Sequence, residues 1–469
     1  MATSFAFESL QRFSGHNFVP DGITNFLCHD RVPCRIKMRP EDFVVEERGQ
    51  DGKLYTVDPV YVHPEDCAST SSPGLVGVTL VKRCLTTYSA IYQLARGLGI
   101  SAGKVSYGGL KDRWALTAQR IVIADVFVED VVRMCCPETI AGKGYFLKDP
   151  QPTQFKLQAG KLQSNRFTLN VSLPGLRKAE IDQYLAPRLK LLSQRADQLR
   201  VGSAGADDEF LIPNGYGRQR LGPRQNLAKV GAVLIAEGAE SAIYRFLTEK
   251  SGKEKAGALA LRDEMANLWP NFTAIKSALE PAYSDLNLDL EYLIATRLAR
   301  CGGNFNQVVQ ILPDEFKLWV GSYQSYWYNQ VLERFLRGEV NLGGSQCIPM
   351  FMFEPECEAF YRKNCPEAIP TRVDPIVKKL FLTPQPNRKG KIVAPWRPAL
   401  IPVRNLTHRS EDGMWRCQFE LRSGGYATTL LAVLFQLEQD EDETTSENGA
   451  GPGYHNGKCF RRAPIAGRA

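Results

Sequence analysis

Missing from the 469 residues of this chain are a GxxxxGK[ST] loop, a GxGxxG turn and an HExxH signature. Their absence argues against nucleotide hydrolysis at a P-loop, dinucleotide binding of the βαβ kind and zinc catalysis through paired histidines. Histidine itself is scarce, for His16, His29, His63, His408 and His455 stand far apart with no paired spacing, and no metal site is expected. The 12 cysteines form no CxxC pair, and Cys135 and Cys136 are merely adjacent. A reducing interior accounts for them more simply than a disulfide framework. The protein is expected to be intracellular, with cytoplasm, nucleus and mitochondrion left open. No run of about 18 apolar residues exists, so no membrane span is expected. The first twenty residues carry Glu8 and a single arginine, Arg12, a poor match to an Arg-rich, acid-poor transit peptide.

What is present is enough chain for two or three domains at roughly 100 to 200 residues each, with an ordinary 43% of hydrophobic residues. Lysine and arginine number 58 against 51 acidic residues, a net charge of +7. Six of the acids, Glu438, Asp440, Glu441, Asp442, Glu443 and Glu447, crowd near the C-terminus. The body is therefore more basic than the total, which favours a polyanionic partner.

Residues 35 to 62 alternate in a strand-like way, with Phe43 and Val45, then Leu54 and Val57, as apolar beats. A polar loop from Pro64 to Gly74 leads into a period-2 strand carrying Val76, Val78 and Leu80. Thr87 is placed to cap a helix with an apolar face of Tyr88, Ile91, Leu94, Ala95 and Leu98, ended by Gly99. A short strand at Val105 and Tyr107 follows. In "NRFTLNVSL" the alternation of Phe167, Leu169, Val171 and Leu173 predicts a half-buried strand, and Asn165 shares its parity. From about residue 208 the character changes to a glycine- and arginine-rich loop and then to helices, including Leu227 to Ala236, Ile243 to Glu249 and "SYQSYWYNQVLERFL", closed by Gly338. In the last of these, the stripe of Tyr323, Trp327, Val331 and Phe335 has helical spacing and reads as helix core. Strand signals return at Phe419 and Leu421, ahead of a glycine turn and a final helix. The simplest account is one mixed-sheet domain interrupted by a helical insertion. Residues 438 to 469, acidic and then rich in Gly, Pro and basic residues, read as a disordered tail.

Chemistry concentrates in "YGGLKDRWALTAQR", Tyr107 to Arg120, where one aspartate stands between Lys111 and Arg113 just after two glycines. A lone carboxylate serves as nucleophile or base if it stays ionised where water is excluded, which a cation a few ångströms away accomplishes. In an extended chain Lys111 and Arg113 would point away from Asp112, so its cation is expected from elsewhere.

This motif occurs in order with "RIKMRPEDFVVEE", "SNRFTLNV", "IPNGYGRQRLG" and "LRSGGYATTLL". Together they resemble the signature set of the tRNA pseudouridine synthase D (TruD) family, as islands from residue 35 to about 435. The resemblance implies an α+β protein: a pseudouridine synthase mixed-sheet core with flanking helices, interrupted by a mostly helical TRUD insertion domain. The corresponding divisions are an N-terminal extension at 1–34, the catalytic domain at 35–207 and 381–437, the insertion at 208–380 and the tail at 438–469. It implies an RNA pseudouridine synthase that needs no cofactor, breaking the bond from C1′ to N1 of a flipped-out uridine and rejoining the uracil through C5. Asp112 matches the catalytic aspartate, acting on C1′ or on a 2′ proton, and Lys37 matches the basic partner that would keep it ionised. Phe167 matches the aromatic that stacks on the uracil, and Asn165 the side chain that positions the catalytic loop or the nucleotide. Phe43 is expected as a second pocket wall. Arg218, Arg220 and Arg224, with the run Arg388, Lys389, Lys391 and Arg397, are candidate phosphate contacts. The sequence departs from the family at Trp114, Gly215, Arg218 and Leu221, which bears on the RNA contacts more than on the chemistry. The partner could be tRNA, rRNA or another RNA. A second reading is an RNA-binding or ribosome-assembly factor of the same fold, working on a ribosomal particle with little or no catalysis.

Overall fold

The computed structural model describes residues 21–24, 26–27, 30–59, 72–135, 140, 142–158, 160–199, 210–222, 224–252, 254–384 and 395–438. The expected tail beyond 438, most of the N-terminal extension, and Arg388, Lys389 and Lys391 lie outside these residues.

The strands in chain order are β1 (Pro33–Cys34), β2 (Phe43–Arg48), β3 (Gly74–Arg83), β4 (Val105–Tyr107), β5 (Leu116–Val126), β6 (Gly144–Thr153), β7 (Ser164–Ser172), β8 (Phe210–Pro213), β9 (Cys347–Pro349), β10 (Trp396–Pro398), β11 (Leu400–Glu411), β12 (Met414–Arg422) and β13 (Gln436–Leu437). Nine of them make one mixed sheet in the order β6-β3-β5-β2-β7-β12-β11-β8, with β4 beside β5. Only the β2 and β5 pair within it is parallel. The expected α+β class is what the chain adopts.

Alternation decides what each face of the sheet carries. Across β2, β7 and β12 the registers set Val45 beside Phe167 and Phe167 beside Phe419. That face builds an apolar core with Leu169, Val171, Trp415 and the helix α3 (Ala427–Leu434), introduced below. The residues between them point the other way, where Arg166 pairs with Glu46 at 2.5 Å and Arg48 with Glu420 at 2.6 Å. A separate core lies where helix α1 (Thr87–Gly97) covers β3 and β5 through Ile91 and Leu94.

Strand β8 pairs with β11, from Pro213 with Leu400 to Phe210 with Val403. Between these two partners the chain makes a body of helices with its own core. Its longest is α2 (Pro313–Leu336), which starts with proline, carries Asp314 and Glu315 in its first turn, and buries Phe316, Trp319, Tyr323, Trp327, Tyr328 and Val331. A helix apolar on nearly all sides belongs inside a bundle, and the stripe read as core is core, with Phe335 packed at its edge. The chain then returns through β11 and β12 to α3.

Three local readings differ from the structure. The cap of α1 is Thr86, whose Oγ1 accepts the Ser89 N–H at 3.0 Å. Either of two adjacent threonines satisfies the sequence pattern, and Thr87 is drawn inward by a different bond. Tyr88 is 58% exposed instead of lying on the apolar face. The strand-like run ends at Arg48; Leu54 returns only as an isolated bridge to it, after a turn with Gly52 at a φ of 79°.

Candidate active site

Lys37 and Asp112 are 75 residues apart, and the parallel pairing of β2 with β5 is what brings them together. The pairing opens at Val44 with Leu116, so the segments just before each strand share one end of the sheet. Lys37 precedes a short turn at Pro40–Asp42 that enters β2, while Asp112 sits in the loop joining β4 to β5. There Lys37 Nζ stands 3.4 Å from Asp112 Oδ2, the lysine mostly covered and the carboxylate 49% exposed. The ammonium also lies 4.4 Å from the centroid of the Phe43 ring, a favourable cation–π placement.

Lys37 holds this position with a φ of 57°, a left-handed backbone that a long side chain adopts only when its surroundings insist on it. The Trp114 indole N–H supplies that insistence, donating to the Lys37 carbonyl at 2.7 Å. Trp114, one of the departures in the sequence, therefore ties the aspartate loop to the lysine turn.

The loop is anchored from within. As alternation requires, Lys111 turns away from Asp112: its Nζ donates to Glu47 Oε2 at 2.7 Å and to Asn165 Oδ1 at 2.9 Å. Glu47 and Asn165 are cross-strand neighbours on β2 and β7, so one ammonium closes a bridge over both. Glu47 is thereby occupied, which leaves Asp112 as the exposed carboxylate of this network. Thr87 Oγ1 accepts the Lys111 N–H at 3.1 Å, and Gln119 donates to the Gly109 carbonyl at 3.0 Å. Lys82, wholly buried on β3, donates to the Asp112 carbonyl at 2.6 Å. Burial pulls its ammonium down to about 8, against the raising effect of Asp112.

The two expected aromatic walls stand on the neighbouring strands β2 and β7. Phe167 packs edge-on against Phe43 at 6.1 Å and stacks on Phe419 at 5.5 Å, and it is 6% exposed. Both rings belong to the sheet core, and Phe43 meets the site through Lys37.

A second cluster lies where the helical body joins the sheet. The Arg397 guanidinium donates to the Asn214 carbonyl at 3.1 Å and to its Oδ1 at 2.5 Å, and lies 4.3 Å from the Tyr216 ring and 5.5 Å from Tyr426. Arg220 lies 5.3 Å from the same Tyr216 ring and donates to Ser325 Oγ at 3.3 Å. Burial raises the Tyr426 phenol, against the opposing effect of Arg220 and Arg397. Arg224 is turned inward instead, donating to the Phe246 and Glu249 carbonyls beside Glu291. A group of side chains suited to a metal is absent among the described residues.

Lys111, Glu47, Lys82 and Tyr426 were not singled out from sequence as site residues, while Arg397, a candidate phosphate contact, is engaged by Asn214 and Tyr216. A lysine inside the apolar run of β3 was the one signal available for Lys82. For the others the cross-strand register carries the information.

A half-exposed carboxylate backed by an ammonium is equipped to act as a nucleophile or a base. Comparison with known proteins gives the family. Residues 22–348 match the family model described as tRNA pseudouridine synthase D (TruD). A probable tRNA pseudouridine synthase D of Methanocaldococcus jannaschii is 27% identical over 407 residues, spanning 84% of this chain and 94% of that protein. One from Methanopyrus kandleri is 28% identical over 374 residues, 75% of this chain and 83% of that protein. A crystal structure titled as the putative TruD of Methanosarcina mazei superposes with a TM-score of 0.49 at 19% identity, covering 87% of this chain and 94% of that one. The chain belongs to the tRNA pseudouridine synthase D family. It is a pseudouridine synthase, an enzyme that isomerises uridine to pseudouridine.

Proposed function

We propose that the substrate is a transfer RNA and that Asp112 carries the chemistry with Lys37 as its ion-pair partner. The observation that carries this reading is the 3.4 Å contact between Lys37 and Asp112, made across 75 residues of sequence at the start of two parallel strands. In the reaction the bond from C1′ to N1 breaks and a bond from C1′ to C5 forms. The C5 proton leaves to solvent and N1 takes one up. Water attacks nowhere in this sequence, so no second carboxylate is needed to activate it, in keeping with the engagement of Glu47 by Lys111.

The uridine must leave its stack for its ribose to reach the rim of the sheet where Asp112 stands. Phe43 and Phe167 wall the uracil, Asn165 positions the loop through Lys111, and Arg220 faces the RNA backbone from the helical side. Transfer RNA is what the relatives' names specify, and an excess of basic residues suits any RNA. The pairing of β8 with β11 favours treating the helices between Pro213 and Leu400 as the insertion, with the catalytic domain on either side. Cys34, Cys84, Cys301, Cys347, Cys357, Cys365 and Cys417 are thiols, which supports a reducing compartment.

To test the substrate, unmodified transfer RNA and ribosomal RNA transcripts are incubated with the enzyme and pseudouridine is mapped by carbodiimide adducts that stop reverse transcription. A single strong stop in a transfer RNA is expected. Stops confined to ribosomal RNA would refute the assignment.

A further inference from the structure

We propose that Lys82 is a positioning residue for Asp112: its buried ammonium grips the Asp112 main chain, fixes where the carboxylate stands, and must be protonated for turnover. This rests on the reading of Asp112 as catalytic.

Lys82 lies near the end of β3, the central strand of β6-β3-β5, opposite Thr117 on β5 and Tyr145 on β6, and none of it reaches solvent. Buried lysines are ordinarily neutralised by a carboxylate. Among the described residues none is in ion-pair contact with Lys82, and its hydrogen bond runs to the carbonyl of the one residue the chemistry depends on. The groups whose charge it feels are Asp112, Lys111 and Cys84, and Tyr145 stands across the strand register. Burial pushes the Cys84 thiol and the Tyr145 phenol up, toward their neutral forms, and Lys111 is a cation already paired with Glu47. Asp112 is the one carboxylate among them. It therefore stands between two ammonium groups: Lys37 against its side chain, on the open side, and Lys82 against its carbonyl, within the sheet.

A purely structural purpose does not require this arrangement. Methionine would fill the same space in the strand without burying a charge, and desolvation makes the protonated lysine unfavourable to the fold at neutral pH. A charged group held there instead gives the loop a fixed point one carbonyl away from the reacting carboxylate. That point weakens when the ammonium loses its proton, because a charge-assisted hydrogen bond becomes a neutral one of roughly half the strength.

The test measures single-turnover release of tritium from a transfer RNA transcript labelled at uracil C5, from about pH 6 to about pH 9.5. The wild type, Lys82→Met, Lys82→Arg and Asp112→Asn are compared, with RNA affinity and melting temperature measured alongside. The wild-type rate is expected to fall above about pH 8 with affinity unchanged. Lys82→Arg, which stays charged, should hold its rate through that range. Lys82→Met should turn over roughly 10- to 100-fold more slowly, the scale of a misplaced catalytic group, without a lower melting temperature. Wild-type turnover in Lys82→Met, or an alkaline fall unchanged in Lys82→Arg, would overturn the proposal. Where a variant does not fold, the wild-type profile decides, and a rate that stays level above about pH 8 overturns it. Asp112→Asn separates the two readings: if it is active, the assignment of Asp112 fails, whatever the Lys82 variants do.

Discussion

Glu47 and Lys111 form an ion pair of 2.7 Å in which each side chain is less than a twentieth exposed, and the same ammonium reaches Asn165. Through Lys111 the position of the adjacent Asp112 is referred to two strands of the sheet. Removing one partner strands a buried charge, which costs about 3–5 kcal/mol. Glu47→Ala is therefore expected to lose that much stability in urea unfolding, together with its activity. Glu47→Gln with Lys111→Met, which removes both charges, should recover most of the stability and none of the activity. A loss in Glu47→Ala of under about 1 kcal/mol, the range of an exposed pair, would mean that this bridge does not hold the loop.

Lys37 combines a strained backbone with an exposed function, and the two separate on mutation. Its φ of 57° is comfortable for glycine. Lys37→Gly should keep the melting temperature of the wild type while losing turnover, because relief of the left-handed backbone, worth about 1–2 kcal/mol, offsets the lost contact with Phe43. Thermal unfolding read beside the tritium assay checks this. A large loss of stability would mark the residue as structural.

How much of this was legible in the sequence follows from how local each feature is. The aspartate loop and the alternation through Phe167 are short-range patterns, and each lies where its pattern implied, whereas the turn at Pro40–Asp42 falls inside a run read as strand-like. The pairing of Lys37 with Asp112 came from the family resemblance, since no spacing argument links residues on two parallel strands. Lys82 and Tyr426 stayed hidden because their partners are a carbonyl supplied by register and side chains at the junction of the helical body with the sheet. From Gly338 to Leu400 the sequence showed no element, and several of its described pieces, such as Gly343–Ser345, Cys347–Pro349 and Pro375–Val377, are too brief to show a period.

Phe167 is both core residue and pocket wall, and substitutions of different size separate these roles. With the ring 6% exposed and touching Phe43 and Phe419, Phe167→Ala should cost about 3–5 kcal/mol. Phe167→Leu keeps most of the packing and should cost less than about 1.5 kcal/mol. If the ring stacks on uracil, the leucine variant still loses roughly 10- to 100-fold in kcat/KM, equivalent to the about 1–3 kcal/mol of one base on an aromatic ring. Unchanged kcat/KM in Phe167→Leu would confine the residue to the core.

The central claim is that Asp112 performs the isomerisation, and Asp112→Asn tests it most directly because its side chain is half exposed and its loss leaves the buried anchors in place. Transfer RNA carrying tritium at uracil C5 releases it to water only when C5 becomes bonded to ribose. Wild-type enzyme should release the label from one uridine, while Asp112→Asn, folded and still binding the RNA, should be slower by roughly a thousandfold or more, the scale on which removal of a nucleophile acts. Release by Asp112→Asn at the wild-type rate would contradict the account.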